Sequence, residues 1–368
     1  MLNENILKND EKAIYNLRSL YRRFGYSRFK MSKFEEYDLY VRNKDFLISD
    51  GIITFTDTNG RLMALKPDVT LSIIKNAKDI KGQVEKLYYN ENVYRISNDS
   101  HSFKEITQTG LECIGDVSVY DICEVLYLAV KSLESIDENY IVDLSHAGLV
   151  SALIKACQLT DDVKKKVFES IQNKSIDEIS AIFQKEIINK FSYDIISRLM
   201  STYKTCEDLV SAFGGINNEI DAQLSEFAAI CKSISDLGLM DKVRIDFSIV
   251  NDTSYYSGLV FKGYIAGIPS SVLSGGQYDK LMKKMGKSSG AVGFAVYLDT
   301  LERHGNKKAD YDYDFVIIKD DNCNSADIIK TVESLSANGF SVIVLSEMPK
   351  DIRYKSMMKL TKNGLEGA

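Results

Sequence analysis

Apolar positions along the chain recur with two different periods. From Asp10 to Phe24, Ile14, Leu17, Leu20 and Tyr21 fall at helical spacing and Gly25 follows as a stop, so an amphipathic helix opens the fold. "GIITFTDTNGRLMALKPDVT" then gives two short strand-like runs around Thr58-Asn59-Gly60, and Asn-Gly between such runs is a strong hairpin signal. This hairpin is expected to carry Lys66, Asp68 and Thr70 to one sheet edge. Residues 84–95 and 106–115 read as two more strands joined by the polar loop "SNDSHS". "SVYDICEVLYLAVKSLESI" is a long amphipathic helix after them, and "NYIVDLSHAG" adds a strand.

Between about 148 and 240 the period becomes helical throughout, in segments such as "TDDVKKKVFESI", "IDEISAIFQKEI" and "NEIDAQLSEFAAICKSI", which predicts a helical insertion. Strands return with "VRIDFSIV", "YYSGLVFKGYI" and "PSSVLSGGQYD", and "GAVGFAVYLDTLER" leads into a helix. Past the polar break "RHGNKKADYDYD" the pattern predicts a strand (Phe315–Ile318), a helix (Ser325–Ala337), a strand (Val342–Leu345) and one short helical piece. The expected domains are a core of 1–308 carrying the insertion, and a small C-terminal α/β unit of 309–368.

Composition narrows the function classes. At 368 residues and 45% hydrophobic content the chain can bury substantial cores. The net charge is −6, with acidic and basic residues interspersed, so no basic stripe speaks for a nucleic-acid partner. Cys113, Cys123, Cys157, Cys206, Cys231 and Cys323 form no CxxC or Cys/His cluster and read as free thiols of a reducing cytosol. His101, His146 and His304 are too scattered for a zinc site. No apolar run approaches the ~20 residues of a membrane span, and the N-terminus lacks a secretory signal, so a soluble cytoplasmic protein is expected.

The residues with chemical potential lie on strand-like segments: Asp68 and Thr70, Arg95, Gln108 and Glu112, Tyr255 and Tyr256. Gln108 and Glu112 are an even number apart and so share a strand face, with Glu112 set among Leu111, Cys113 and Ile114. One reading is a pocket for a small zwitterion, where Glu112 or Asp68 accepts from an ammonium or imidazole N–H and Arg95 pairs with a carboxylate. The other is a set of solvent-facing residues on a half-exposed antiparallel sheet. The glycines of "SGGQYD" (Gly275 and Gly276, with Asp279) and "GAVGF" (Gly290, Gly293) are equally open, either to close approach by a nucleotide or to a turn or bulge.

In order, these segments resemble histidyl-tRNA synthetase, and more closely its non-synthetase relative, the regulatory subunit of short-form ATP phosphoribosyltransferase. "MALKPDVT" is similar to the synthetase's leucine-arginine-proline-glutamate-glycine-threonine segment, and "NVYRIS…FKEITQTGLECIG" to class II motif 2. "NDTSYYSGLVFKGY" is similar to the histidine-specific segment, and "SGGQYDKLM…GAVGFAVYLDTL" to motif 3. The resemblance implies an α+β fold, with a class II aminoacyl-tRNA synthetase-like antiparallel sheet flanked by helices.

It also implies that Asp68 and Thr70 hold an amino acid's ammonium, that Gln108 and Glu112 lie near ammonium and imidazole, that Tyr255 and Tyr256 flank the ring, and that Arg95 is the motif 2 arginine. Departures fall on the other half of the site. Ser97 stands where a synthetase has glutamate, Asn251 and Thr300 where it has arginines, and Ser32 at the motif 1 proline. Losing one preorganised donor typically costs roughly 3–4 kcal/mol of transition-state stabilisation, so two missing arginines leave adenylation nearly silent unless Lys66 or another cation substitutes.

The implied protein is a non-catalytic regulatory subunit with no cofactor and no metal. It would dimerise through the class II core, join the catalytic short-form ATP phosphoribosyltransferase in a hetero-octamer, activate it and report histidine as feedback inhibitor. A truncated histidyl-tRNA synthetase and a stand-alone histidine-binding sensor are the alternatives. The retained polar groups are open to two further readings, as a structural network or as a partner interface.

Overall fold

A computed structural model describes residues 8–44, 47, 51–78, 82–96, 102–250, 255–301, 311–348, 351–362 and 364–367. Ser97, His101, Asn251 and His304 lie outside the described residues. Contacts divide the chain into two compact units, Met1–His304 and Gly305–Ala368.

The first unit is built on a nine-stranded sheet. Its spatial order is Ser27–Arg28, Val84–Ile96, Phe103–Gly115, Gly290–Tyr297, Leu273–Gln277, Leu259–Ile265, Tyr140–His146, Val243–Asp246 and Thr202–Tyr203. Neighbours from Val84–Ile96 through Tyr140–His146 are antiparallel. Ser27–Arg28 and Val243–Asp246 pair parallel to their inner neighbours. The second and third strands, of 13 residues each, pair over their whole length, Val84 opposite Gly115 and Ile96 opposite Phe103.

Side-chain alternation divides this sheet into two different faces. Tyr88, Leu111 and Cys113 point to the side covered by the helices Asn9–Arg23 and Val119–Glu134, where Leu17, Tyr21, Val125 and Leu128 complete a large core. The second helix is started by a capping box: Asp121 N–H donates to Ser118 Oγ at 3.4 Å, and Ser118 N–H donates to Asp121 Oδ2 at 2.9 Å. Leu87, Tyr89 and Ile114 belong to a second core with Leu71, Ile73 and Ile74 of the helix Thr70–Asn76 and with Leu281 and Met282 of Asp279–Lys284. The helical insertion runs from Ala147–Ala156 to Asn218–Asp236, interrupted by the edge strand Thr202–Tyr203.

The hairpin forms at Asn59-Gly60, where Asp57 Oδ1 accepts from Asn59 N–H and Arg61 N–H at 2.8 Å each and Gly60 takes φ +77°. Its destination differs from the sequence expectation. Thr54–Thr56 and Leu62–Leu65 pair with each other and with Phe34–Glu36 as a separate three-stranded sheet, and Thr70 opens a helix instead of extending a strand. Between them Lys66–Asp68 runs beside the strand Val84–Ile96. Tyr94 N–H donates to Lys66 O at 2.9 Å, and Arg95 Nε–H donates to Pro67 O at 3.0 Å. A fully buried Lys66 ammonium meets Glu91 Oε2 at 2.7 Å. "GAVGFAVYLDTLER" is a strand followed by the 3₁₀ turn Leu298–Thr300, and Glu302 and Arg303, where the expected helix would continue, lie outside the described residues.

In the second unit Tyr313–Lys319, Ser325–Ala337 and Val342–Leu345 form the expected β-α-β unit. The expected final helical piece is instead a strand, Tyr354–Thr361, joined to a second one, Gly364–Gly367, and the sheet order is Val342–Leu345, Tyr313–Lys319, Tyr354–Thr361, Gly364–Gly367. Pairing from Tyr313 opposite Tyr354 to Lys319 opposite Leu360 satisfies this backbone, with Leu360 buried.

Breaking one partner of a buried ion pair strands the other charge at a cost of about 3–5 kcal/mol, whereas replacing both by apolar groups is often neutral. Glu91→Gln is therefore expected to lower the urea midpoint of unfolding substantially, and Lys66→Met added to Glu91→Leu to recover most of the loss. Equal stability of Glu91→Gln and the parent chain would contradict this role for the pair.

Candidate functional site

The sheet face opposite the long helices carries a cavity of about 430 Å³. All seven residues singled out in the sequence line it: Asp68, Thr70, Arg95, Gln108, Glu112, Tyr255 and Tyr256. They are not solvent-facing strand residues, since Asp68 is only 8% exposed, Gln108 4% and Glu112 2%. Their elements also differ from expectation. Asp68 lies on the stitched segment, Thr70 begins a helix, and Tyr255 and Tyr256 precede the strand Leu259–Ile265 in a turn. That turn is tied to the sheet by Ser257 N–H donating to Gln277 O at 2.9 Å.

Strand register explains the floor of the cavity. Glu112 lies opposite Gly293, and Gly293 opposite Gly276, so on one side of this carboxyl group two successive strands present bare backbone. A Cβ on Gly293 would overlap Glu112 Oε2, and one on Gly276 would come within 2.7 Å of the Tyr256 ring. These glycines are mid-strand, neither turn nor bulge; they give room to the Glu112 carboxylate and the Tyr256 ring. Asp279, quoted with them, is a structural acceptor, its Oδ1 taking the Ala291 N–H at 3.0 Å.

Glu112 is satisfied by hydroxyls. Thr70 Oγ1 donates to Oε1 at 2.9 Å, and the Tyr278 hydroxyl donates to Oε2. Among the described residues no lysine or arginine forms an ion pair with it. Burial pushes its pKa up to about 8, the Asp68 charge adds to that, and the Tyr278 and Thr70 hydrogen bonds only partly offset it. Asp68 is also raised, by burial first, against the Leu71 N–H bond (2.8 Å) and the positive charge of Arg95. Burial pushes the Tyr255 hydroxyl well up from its ordinary value, and its ring meets Tyr256 edge-on at 4.7 Å between centroids.

Several lining residues escaped the sequence reading. Tyr278 was quoted only inside "SGGQYD", although its offset of two from Gly276 placed it on the same face. Tyr89, Lys262, Ser274 and Tyr297 also line the wall, and a lysine inside the apolar run "GLVFKGYI" was the visible signal for Lys262.

Of the two positions where the resemblance has arginines, Asn251 lies outside the described residues and Thr300 is described. Thr300 turns its hydroxyl back to Tyr297 O at 2.6 Å. Lys66, the candidate substitute, is buried against Glu91 away from the cavity lining. Among the described residues no group of acidic, cysteine or histidine side chains could hold a metal ion, and no helix is long and apolar enough to cross a membrane.

Comparison with known proteins places this geometry. The histidyl-tRNA synthetase family model matches residues 2–301. An ATP phosphoribosyltransferase regulatory subunit from Clostridium botulinum is 31% identical over 77% of this chain and 69% of its own length. The chain belongs to the ATP phosphoribosyltransferase regulatory subunit family, on the histidyl-tRNA synthetase fold.

Solved structures agree on that fold. An ATP phosphoribosyltransferase regulatory subunit/histidyl-tRNA synthetase from Bacillus halodurans superposes with a TM-score of 0.76 at 20% identity, covering 95% of this chain and 93% of that one. The ATP phosphoribosyl transferase (HisG:HisZ) complex from Thermotoga maritima gives a TM-score of 0.62 at 21% identity, over 81% and 97%. As a regulatory-subunit family member the chain is a non-catalytic subunit.

The raised Glu112 pKa fixes a pH dependence. Between the ordinary carboxyl value of 4.5 and about 8 the native chain holds a proton that the unfolded chain has released, so stability falls as pH rises through this window. Asp68 contributes with the same sign. The melting temperature is expected to drop from pH 5 to pH 8, and Glu112→Gln to flatten that drop. A Glu112→Gln profile parallel to the parent's would show that Glu112 is ionised in the native state at neutral pH.

Proposed function

We propose that the cavity binds histidine and that the chain uses it to regulate a catalytic short-form ATP phosphoribosyltransferase in histidine biosynthesis, in the cytoplasm. The observation that carries this reading is the convergence of the seven residues on one buried cavity, with Glu112 unpaired by any described cation. A buried carboxyl that holds its proton in the empty cavity is suited to an incoming ammonium or imidazolium, whose charge favours the ionised form and repays its burial cost on binding. Arg95 lies at the same wall and serves the ligand's carboxylate.

In this reading the chain activates its catalytic partner and transmits histidine feedback within a hetero-octamer. Histidine must bind two states of the assembly with different affinity, because equal affinity shifts nothing. The chain itself pairs with a second copy through the class II core. Phe34, Phe55 and Leu62, exposed on the three-stranded sheet with the two rings 5.3 Å apart, supply apolar surface for that pairing. Lys66, the named substitute for the missing arginines, is spent on Glu91, which speaks against the truncated-synthetase alternative.

Calorimetric titration of the purified chain with histidine tests the site. Glu112→Gln is expected to weaken histidine binding at least tenfold while leaving assembly with the catalytic subunit intact. Unchanged affinity removes Glu112 from the site. Histidine-dependent ATP–pyrophosphate exchange by the parent chain would instead support the synthetase alternative.

A further inference from the structure

The same cavity contains a second cation, on the wall away from Arg95. Lys262 lies on Leu259–Ile265, opposite Asp143 on one neighbouring strand and Ser274 on the other. Ser274 in turn lies opposite Ala295, and Ala295 opposite Gly110. Lys262 therefore shares its face with Glu112, two residues beyond Gly110. Three strand spacings separate the Lys262 backbone from Gly110, roughly 14 Å, and Arg95 is on the next strand beyond that. Two cations thus bracket the two carboxylates.

Lys262 is not neutralised by its surroundings. The nearest carboxylate in register, Asp143, is gripped by Arg244 through both oxygens: Nη2–H donates to Oδ2 at 3.0 Å, and Nε–H donates to Oδ1. Among the described residues no hydrogen bond or ion pair is formed by the Lys262 ammonium. Burial lowers its pKa, and the more distant pull of Asp143 offsets this only in part. Ser271 and Ser274 line the same wall.

A zwitterion held by Asp68, Glu112 and Arg95 leaves this second cation without a counterion. We propose that Lys262, with Ser271 and Ser274, forms an anion subsite on the cavity wall remote from Arg95, taking a carboxylate or a phosphate-type group. The inference rests on the cavity being a ligand site. Two sources supply that chemistry: the carboxylate of the amino acid itself, with Arg95 left to hold the Pro67 segment, or a free anion bound beside the amino acid.

Titrations in a phosphate-free zwitterionic buffer separate them. The probes are L-histidine, histamine, which lacks the carboxylate, and inorganic phosphate, each against the full chain, Lys262→Met and Lys262→Arg. If the subsite takes the amino acid's carboxylate, Lys262→Met weakens histidine at least tenfold and leaves histamine unchanged. If it takes a free anion, phosphate binds the parent saturably and Lys262→Met not at all, with histidine unaffected. In both cases Lys262→Arg retains binding. Lys262→Gln, which keeps a polar side chain, replaces the methionine variant if that one does not fold.

The inference is overturned if Lys262→Met and the parent bind all three probes alike, or if the parent binds none of them. A parent that binds phosphate through Lys262 but neither histidine nor histamine would sink the histidine reading and leave the subsite standing. Histidine binding that is indifferent to Lys262, with no phosphate binding, would do the reverse.

Discussion

A carboxyl group buried on the sheet face that floors the cavity, with only hydroxyls for partners, is the constraint on which the rest of the site depends. Glu112 is 2% exposed, and its two oxygens take hydrogen bonds from Thr70 and Tyr278. Those donors come from the start of the helix Thr70–Asn76 and from the residue after the strand Leu273–Gln277, so the carboxylate pins both to the floor. Gly293 and Gly276 follow from the same demand, because any side chain there would occupy the space of the carboxylate or of the Tyr256 ring. The uncompensated burial appears as a pKa displaced to about 8. Buried groups with such displacement cluster where ligands bind.

Two cations of this unit, Lys66 and Arg244, are committed to carboxylates other than Glu112. Lys66 is spent on Glu91, and through its backbone on Tyr94, which locks the segment carrying Asp68 against the longest strand pair. Arg244 is spent on Asp143. This separation keeps the middle of the cavity acidic and its two ends basic, an arrangement matched to a ligand with charges of both signs.

Much of this was legible in the sequence where the signal is local. Helical periodicity located Asn9–Arg23 and Val119–Glu134, and the spacing of Gln108 and Glu112 placed them on one face. The C-terminal helix Ser325–Ala337 and strand Val342–Leu345 also matched, but "YKSMMKLT" did not: its apolar positions fit either period, and only pairing with Tyr313–Lys319 decides for a strand. The hairpin signal at Asn59-Gly60 likewise fixed the turn without saying which sheet the strands join. The glycines of "SGGQYD" and "GAVGF" were ambiguous for the same reason, since a missing Cβ acquires meaning only from the Glu112 side chain one strand away. Tyr278 and Lys262 reach the cavity through register across several strands, which no single stretch of sequence encodes.

The central claim is that this cavity makes the chain a histidine-responsive regulator of a phosphoribosyltransferase. Its most direct test is the rate of phosphoribosyl-ATP formation by the cognate short catalytic subunit, with and without this chain, each in the presence and absence of histidine. The account predicts a higher rate when the chain is added and suppression of that rate by histidine. A rate indifferent to the chain in every condition would contradict it.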